Sequence, residues 1–450
     1  MRRDIAVALF VLVLVLVAPM LHPIGGQQIS RYALTAAVWD QGTLEVTSYA
    51  DLLVRDGAAK DGSFYSEKAP GQPLLAVPLY GMYRLAGGEP LSLERSDPDF
   101  GLWWLTVWCA GVPLALLAML MYRWANEIEP RTALAATITM TFGTLLVVYG
   151  TLLFAHVLAG LLGFGMFLLV RSKAASRWQL MAAGAVGGLA VMVEYPLAIL
   201  VAIVTAATIY LHRWRAGLVV VGGLPFALGL GLYNWYLFGS PFMVGYQWSI
   251  YSGIRDEPGA ALAIFSGPSL ERVVQVLFAE RGLFIATPVL AIALVGVWLM
   301  WKNGWRLDAV VAVCAFLSML AIQFMWGTAY ANGAGPRYVT PGLPFMVAPV
   351  ALVFQRWRRL TTVLAAVGVI TLMAAMLTLP QLGSEFDAGM ADWLATLFAG
   401  RVAPTVYSVW FGSWGWLLHI ASVLVALTIL VRLRRRGTDV DETSSVLVSR

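Results

Sequence analysis

Residues 132 to 170 read TALAATITMTFGTLLVVYGTLLFAHVLAGLLGFGMFLLV, thirty-nine positions without one Asp, Glu, Lys or Arg. A hydrocarbon core of about 30 Å takes about 20 helical residues to cross, so this stretch predicts two crossings, near 132 to 150 and 152 to 170. Apolar windows of similar length recur on either side. Two precede it, near 5 to 22 and 101 to 122. Eight follow, near 178 to 194, 195 to 211, 216 to 237, 282 to 301, 309 to 326, 339 to 355, 360 to 379 and 412 to 431. The expected fold is an all-α integral membrane protein of about twelve transmembrane helices, range 11 to 13, forming one polytopic domain over residues 1 to 450. Composition agrees: 60% hydrophobic and 12% charged residues lie far outside the make-up of a soluble domain.

The first window follows Arg2 and Arg3 as a signal peptide would. No small-residue cleavage site comes after it, since His22, Pro23 and Ile24 are next, and it reads as an uncleaved first span.

Charge gives the orientation. The short connections hold Arg171, Lys173 and Arg177; Arg213 and Arg215; Lys302 and Arg306; Arg356, Arg358 and Arg359; and, in a basic, irregular tail over 432 to 450, Arg432, Arg434, Arg435 and Arg436. With twelve spans all of them fall on the side of the N-terminus, which the positive-inside rule makes cytoplasmic. That side then carries a net +12 and the other −7, which together make the chain's +5. The basic balance is therefore an orientation signal for a cell (plasma) membrane protein with both termini inside, and implies no nucleic-acid partner. The same logic decides the apolar stretch 71 to 88. Counting it as a span would put every later basic cluster outside, so it reads as a helix in the interface or dipping into the outer leaflet, interrupted at Pro73 and Pro78.

Cytoplasmic connections are on the order of ten residues or fewer, too short for a nucleotide-binding domain. On the other side they are long: 23 to 100, 238 to 281, 327 to 338 and 380 to 411. Loops of that length carry function or are disordered, and their prolines and aromatics predict packed structure. In the first, Ile29 to Trp39 reads as an amphipathic helix with Gln28, Arg31 and Thr35 on one face. Asp56-Gly57 and Asp61-Gly62 then mark turns ahead of Phe64, Tyr65 and the run Glu67-Lys68-Ala69-Pro70-Gly71.

Ionisable side chains near membrane depth are functional candidates by default, and each here has a plainer alternative. Lys68, beside Glu67 at headgroup level, suits a lipid phosphate as a point charge or is half of a solvated pair. Arg337, in the turn Gly333-Ala334-Gly335-Pro336-Arg337-Tyr338, offers a phosphate-matching fork or snorkels to the interface. Arg281, between Glu280 and Gly282, has the same two readings. Glu194, before Tyr195 and Pro196, is a titratable group facing an external cavity or a hydrogen bond across a hairpin. His156 can donate to a phosphate or sugar hydroxyl, or is satisfied by a neighbouring helix. Arg31 lines a pocket or a solvated face. No metal-ligand spacing occurs among His22, His156, His212, His419, Cys109 and Cys314, and the two cysteines read as small buried apolar residues. No phosphate-cradling glycine loop or nucleophile elbow is present, so no cofactor is implied.

The first loop, with Ser30-Arg31-Tyr32-Ala33 and then Phe64-Tyr65-Ser66-Glu67-Lys68-Ala69-Pro70, resembles the membrane glycosyltransferases of the GT-C fold. Within them it is most similar to the protein O-mannosyltransferase and lipid A aminoarabinose transferase group, glycosyltransferase family 39-like. The likeness is strong over residues 20 to 85 and diffuse beyond, where the Gly-Pro-Arg-Tyr turn at 335 to 338 supports it. The resemblance implies a juxtamembrane Arg-Tyr pair and a Tyr-x-Glu-Lys-Pro-like motif whose lysine, here Lys68, contacts the phosphate of a polyprenyl-phosphate sugar donor. Arg337, Arg281 and Arg31 are the expected further phosphate contacts, and Tyr65, His156 and Tyr338 the expected pocket neighbours. Two departures stand out: Ala69 is inserted before Pro70, and Gln28 takes the place of the acid usually found just before the Arg-Tyr pair. Glutamine is no proton acceptor. The implied alternatives are that Asp40, Glu67 or Glu194 supplies the base, that the acceptor is already anionic, or that transfer has been lost. The chain also lacks the C-terminal soluble domain of some such enzymes, which leaves acceptor recognition to the external loops.

The expected function is transfer of a sugar from a polyprenyl-phosphate donor to a glycan, lipid or protein acceptor on the extracytoplasmic side. With no cytoplasmic domain to bind an activated nucleotide sugar, the activated group arrives in the membrane. A transporter or flippase of the same lipid is the rival, and it would favour midplane charges.

Overall fold

The computed structural model describes residues 2–53, 56–92, 98–250, 267–327, 329–330, 333–380 and 389–448. Parts of the three longest loops lie outside the described residues. Six helices are long and apolar enough to cross a membrane: Phe100–Ile128, Leu197–Phe238, Arg306–Met325, Arg337–Arg356, Arg358–Leu377 and Trp414–Arg435. A bent pair, Leu270–Ala286 with Val289–Lys302, makes a seventh if counted as one. Shorter apolar helices run over Arg2–Val17, Ala133–Phe142, His156–Val170 and Arg177–Val193. The run Leu197–Phe238 covers two of the expected spans, joined by a tight 3-10 turn at Arg213–Ala216. The chain is an integral membrane protein, and its outer surface shows it. Val220, Leu224, Leu228 and Leu232 lie exposed at helical spacing, as do Leu417, Ile420, Leu424 and Val431 on Trp414–Arg435, a face that water would reject and hydrocarbon accepts.

Several expected spans are broken, each for a local reason. The stretch 132 to 150 stops at Gly143, where any Cβ would lie 2.8 Å from the Thr139 carbonyl oxygen, and restarts as Leu145–Tyr149 with the Thr144 hydroxyl capping Leu146 N–H. The window 282 to 301 is not straight: the chain bends by 77° at Thr287-Pro288, because Pro288 has no N–H to continue the preceding turn. Pro341 and Pro344 hold Arg337–Met346 in 3-10 form before Val347–Arg356 becomes α-helical. By contrast Gly71–Leu85 is one continuous helix. Pro73 falls in its first turn, where an N–H has no intrahelical partner anyway, and Pro78 is carried within it. The Trp414 helix continues through the basic run to Val448, where irregular chain is the sequence expectation; arginine and leucine are good helix formers.

The sheet among the described residues is a hairpin, β1 (Gly57–Lys60) with β2 (Ser63–Ser66). Asp61 and Gly62 both have positive φ, 51° and 85°, the two-residue turn whose twist matches that of the strands.

At the other end of the His156–Val170 helix stands a second polar group. Arg171 donates to Asp308 through Nη2 at 2.8 Å and Nε at 3.1 Å and also to Glu127, while Trp124 Nε1 reaches Asp308 at 3.4 Å. It joins three helices. Fifteen helical residues, about 22 Å, separate it from His156.

Candidate functional site

The site is assembled where Gly26–Ala36, the end of β2 and the starts of three apolar segments meet. Residues 27 to 36 are all buried, so the polar face formed by Gln28, Arg31 and Thr35 is turned inward. Thr35 donates to the carbonyls of Arg31 at 2.9 Å and Pro73 at 3.1 Å. The Ser30 and Ser66 hydroxyls meet at 3.0 Å and pin the helix to β2.

Gln28 has a structural task. Its Oε1 accepts from Leu153 N–H at 2.8 Å and its Nε2 donates to the Pro23 carbonyl at 3.3 Å. Gln72 likewise donates to the carbonyls of Phe154 at 3.1 Å and Cys109 at 3.3 Å. Residues 151 to 155 are buried outside any helix, and in a membrane protein such backbone survives only where protein groups satisfy it. An aspartate at position 28 could not donate to Pro23 and accept from Leu153 together.

Two glycines allow the close approach that builds the site. A Cβ on Gly71 would lie 2.6 Å from the Met192 and Val193 backbone, which brings the Glu67-Lys68 end of the first loop against Glu194. One on Gly245 would lie 2.7 Å from Glu67 Cα, so the 245–248 turn sits directly over Glu67 and places the Tyr246 ring 5.2 Å from Lys68 Nζ.

Three cations converge. Lys68 pairs with Asp56 at 2.8 Å and with Glu67; Arg31 Nη2 pairs with Glu194 Oε2 at 3.4 Å. The Arg337 guanidinium meets no carboxylate within ion-pair distance among the described residues. It donates from Nη2 at 2.6 Å and Nη1 at 3.2 Å to the amide oxygen of Gln27, oriented to receive it, and lies against the Tyr338 ring. Arg31 is 2% exposed, Lys68 3% and Arg337 7%, and buried charges persist only when paired or liganded.

The carboxyls divide their roles. Burial alone would raise Asp56, but the Lys68 ammonium, aided by Arg337 and Arg31, holds it below the usual carboxylate range. Burial, reinforced by the charge of Asp56, lifts Glu67 above that range despite Lys68. For Lys68 itself, burial opposes the ammonium, and Asp56 and Glu67 outweigh it and hold its pKa above the ordinary value. Two carboxyls on one lysine titrate as a pair, with Asp56 the more readily ionised member and Glu67 the more readily protonated. With Asp56 and Glu194 as carboxylates, the three cations leave one positive charge in excess when Glu67 is protonated and none when it is ionised.

Around the cations lie polar atoms without protein partners: Arg31 Nε, Glu67 Oε2, Tyr149 Oη and both ring nitrogens of His156. His156 Nδ1 is 3.7 Å from Glu194 Oε2, and its ring meets Tyr149 and Tyr338 at 5.2 and 5.5 Å. Buried polar groups are ordinarily paired, so these unpaired atoms make the cluster the candidate place for a polar ligand or bound water.

The other candidates lie at its margin or beyond. Arg281 donates to the Gly333 carbonyl at 3.1 Å and stacks on Tyr330, steadying the turn before Arg337. Tyr65, on the opposite face of β2 from Ser66, bonds Glu45 at 3.4 Å and packs against Phe238. Asp40 is paired with Arg84 and with Tyr80 Oη at 2.9 Å. The sequence reading passes over Asp56, which reads as a turn residue, and over Gln27 and Tyr246. For Asp56 and Gln27 no local pattern signals a partner that comes from a distant segment. Among the described residues no His/Cys/Asp/Glu group has metal-binding geometry.

No protein-family model and no curated sequence matches the chain. Among solved structures, apo ArnT from Cupriavidus metallidurans aligns with a TM-score of 0.51 over 95% of this chain and 71% of that one, at 15% identity. The same protein bound to undecaprenyl phosphate gives 0.48 over 96% and 72%, at 14%. The apo oligosaccharyltransferase of Archaeoglobus fulgidus gives 0.43 over 94% and 55%, at 11%. The apo ArnT likeness is one of fold: the chain is built on the GT-C architecture of lipid A aminoarabinose transferase.

Proposed function

We propose that the protein is a membrane glycosyltransferase that takes a sugar from a polyprenyl-phosphate donor and transfers it on the extracytoplasmic side. The observation that carries this reading is the buried cluster of Arg31, Lys68 and Arg337, in which Arg337 meets no carboxylate within ion-pair distance among the described residues. A polyprenyl-phosphate sugar is a phosphodiester monoanion, and it supplies the counter-charge that this guanidinium lacks. Crystallised ArnT carries undecaprenyl phosphate on the same architecture.

In this reading Lys68 and Arg337 hold the donor phosphate, Arg31 supports them from behind through Glu194, and Arg281 flanks them. Departure of the lipid phosphate turns a monoanion into a dianion while the sugar becomes oxocarbenium-like. Cations fixed beside it therefore stabilise the transition state more than the ground state. Asp56 already holds Lys68, Glu194 holds Arg31 and the Gln27 amide oxygen holds Arg337, so little reorganisation accompanies the charge build-up. The acceptor, a glycan, lipid or protein hydroxyl or amine, enters from the side of the external loops.

The test is incubation of purified, reconstituted protein with sugar-labelled polyprenyl-phosphate donors. Release of free polyprenyl phosphate supports the enzyme. Movement of intact donor across the bilayer, with the linkage preserved, would show a flippase instead.

A further inference from the structure

We infer that His156, oriented by Glu194, is the general base that removes the acceptor's proton, in place of the acid that Gln28 replaces. The inference rests on the glycosyltransferase reading and adds to it the group that activates the nucleophile.

Each carboxyl in or near the cluster has another task. Asp56 and Glu67 share Lys68, Glu194 holds Arg31, and Asp40 belongs to the separate pair with Arg84 and Tyr80. Gln28 is committed at both ends of its amide to Pro23 and Leu153. His156 differs from all of them. It is 1% exposed and neither ring nitrogen has a hydrogen-bond partner; of the charged groups facing it, Glu194 favours an imidazolium, and Arg337, Arg31 and Lys68 oppose one until a bound phosphate offsets their charge. The Tyr149, Phe154 and Tyr338 rings hold the imidazole by its faces and edges, at 5.2 to 5.7 Å between centroids. They fix its orientation while leaving its nitrogens unbonded.

The Nδ1 atom lies 3.7 Å from Glu194 Oε2, beyond hydrogen-bond length and within ion-pair distance. With the proton on Nδ1 directed at Glu194, Nε2 presents its lone pair to the acceptor, the division of labour of a His-carboxylate pair. The step then balances. The acceptor hydroxyl proton moves to Nε2 and its oxygen pair forms the bond to the anomeric carbon. The bond from that carbon to the phosphate oxygen breaks, and its pair leaves on the phosphate toward Lys68 and Arg337. The imidazolium formed beside Glu194 later passes its proton to water. In this scheme His156 is the catalytic group and Glu194 a positioning residue.

The experiment compares two small nucleophiles in the reconstituted full-length protein, with sugar-labelled undecaprenyl-phosphate mannose, glucose and aminoarabinose as donor probes. Methanol must lose a proton to react, and azide has none to lose. For His156→Gln the account expects undecaprenyl phosphate to bind as in wild type and methyl glycoside formation to fall by roughly a hundredfold. Glycosyl azide should persist, so the azide-to-methanol product ratio rises by a similar factor. Glu194→Gln should raise the ratio in the same direction, which a loss of fold or of donor binding would not do. An unchanged ratio in His156→Gln, or loss of both products while undecaprenyl phosphate still binds, overturns the inference while leaving transfer by the wild type standing. No released undecaprenyl phosphate from wild type with any donor overturns the underlying reading instead.

Discussion

At the residue scale, Asp56 and Glu67 compete for one lysine, and the outcome sets the charge that a bound phosphate meets. Glu67 is shifted up by burial and by Asp56, so its protonated form is the one the folded site favours. As pH rises through that raised pKa the carboxylate appears, the charge of the cluster falls by one positive unit, and an anion should bind less well. The account therefore predicts that undecaprenyl phosphate affinity falls, roughly tenfold for a coupling of this kind, as pH climbs above the ordinary glutamate range. In Glu67→Gln the fall should disappear; titration of binding by calorimetry against pH checks it. Asp56 has the opposite sign. Its lowered carboxyl lends stability that is present above the usual aspartate range and lost as pH falls through the lowered value. Asp56→Asn should flatten the acid limb of thermal stability, read as melting temperature against pH in detergent. What the sequence could show at this scale was which side chains are out of place in lipid. Arg31, Glu67, Lys68, Glu194, His156, Arg337 and Arg281 stood out for that reason; the first six lie in one cluster, and Arg281 is at its margin on Gly333 and Tyr330. Asp56 did not stand out, because Asp-Gly in a polar loop is ordinary turn chemistry and its partner is twelve residues away. The role of Gln28 was closed to sequence as well, since it depends on the unpaired backbone of Leu153.

At the element scale, two close contacts control how the loops meet the membrane helices. Gly245→Val would drive a side chain into the Glu67 backbone and should lift the 245–248 turn with Tyr246 off Lys68. The expected outcome is a loss of phosphate binding comparable to that of Lys68→Ala with little change in melting temperature, since the turn lies outside the helical core. The Arg171, Asp308 and Glu127 group should behave in the reverse way. Asp308→Ala leaves a mostly buried guanidinium with the partly exposed Glu127 alone, and breaking such a pair costs about 3 kcal/mol. A lower melting temperature with unaltered phosphate affinity per folded molecule is expected. Helical periodicity and length made the six long apolar helices legible, but not the breaks in the shorter and bent segments. Gly143 and Pro288 sit in windows as apolar as any unbroken one, and whether a glycine or proline ends a helix depends on the neighbour that takes up the freed carbonyl.

For the whole molecule, the two polar clusters stand at opposite ends of His156–Val170, and we propose that the His156 end faces the extracytoplasmic side and the Arg171 end the cytoplasm. Single cysteines introduced for exposed residues, in a background without Cys109 and Cys314, test that polarity. An impermeant maleimide added to intact cells should label Asp61→Cys on the hairpin turn and leave Lys173→Cys unlabelled until the membrane is opened.

The central claim is that Lys68 and Arg337 form a preorganised clamp for a lipid phosphate. Its most direct measurement is the affinity of purified protein for undecaprenyl phosphate in native mass spectrometry, for wild type, Lys68→Ala and Arg337→Ala. The account predicts that each substitution weakens binding by about a hundredfold, the scale of one lost charge-assisted contact of about 3 kcal/mol. Equal affinity in all three proteins, each shown to be folded by its melting temperature, would contradict it.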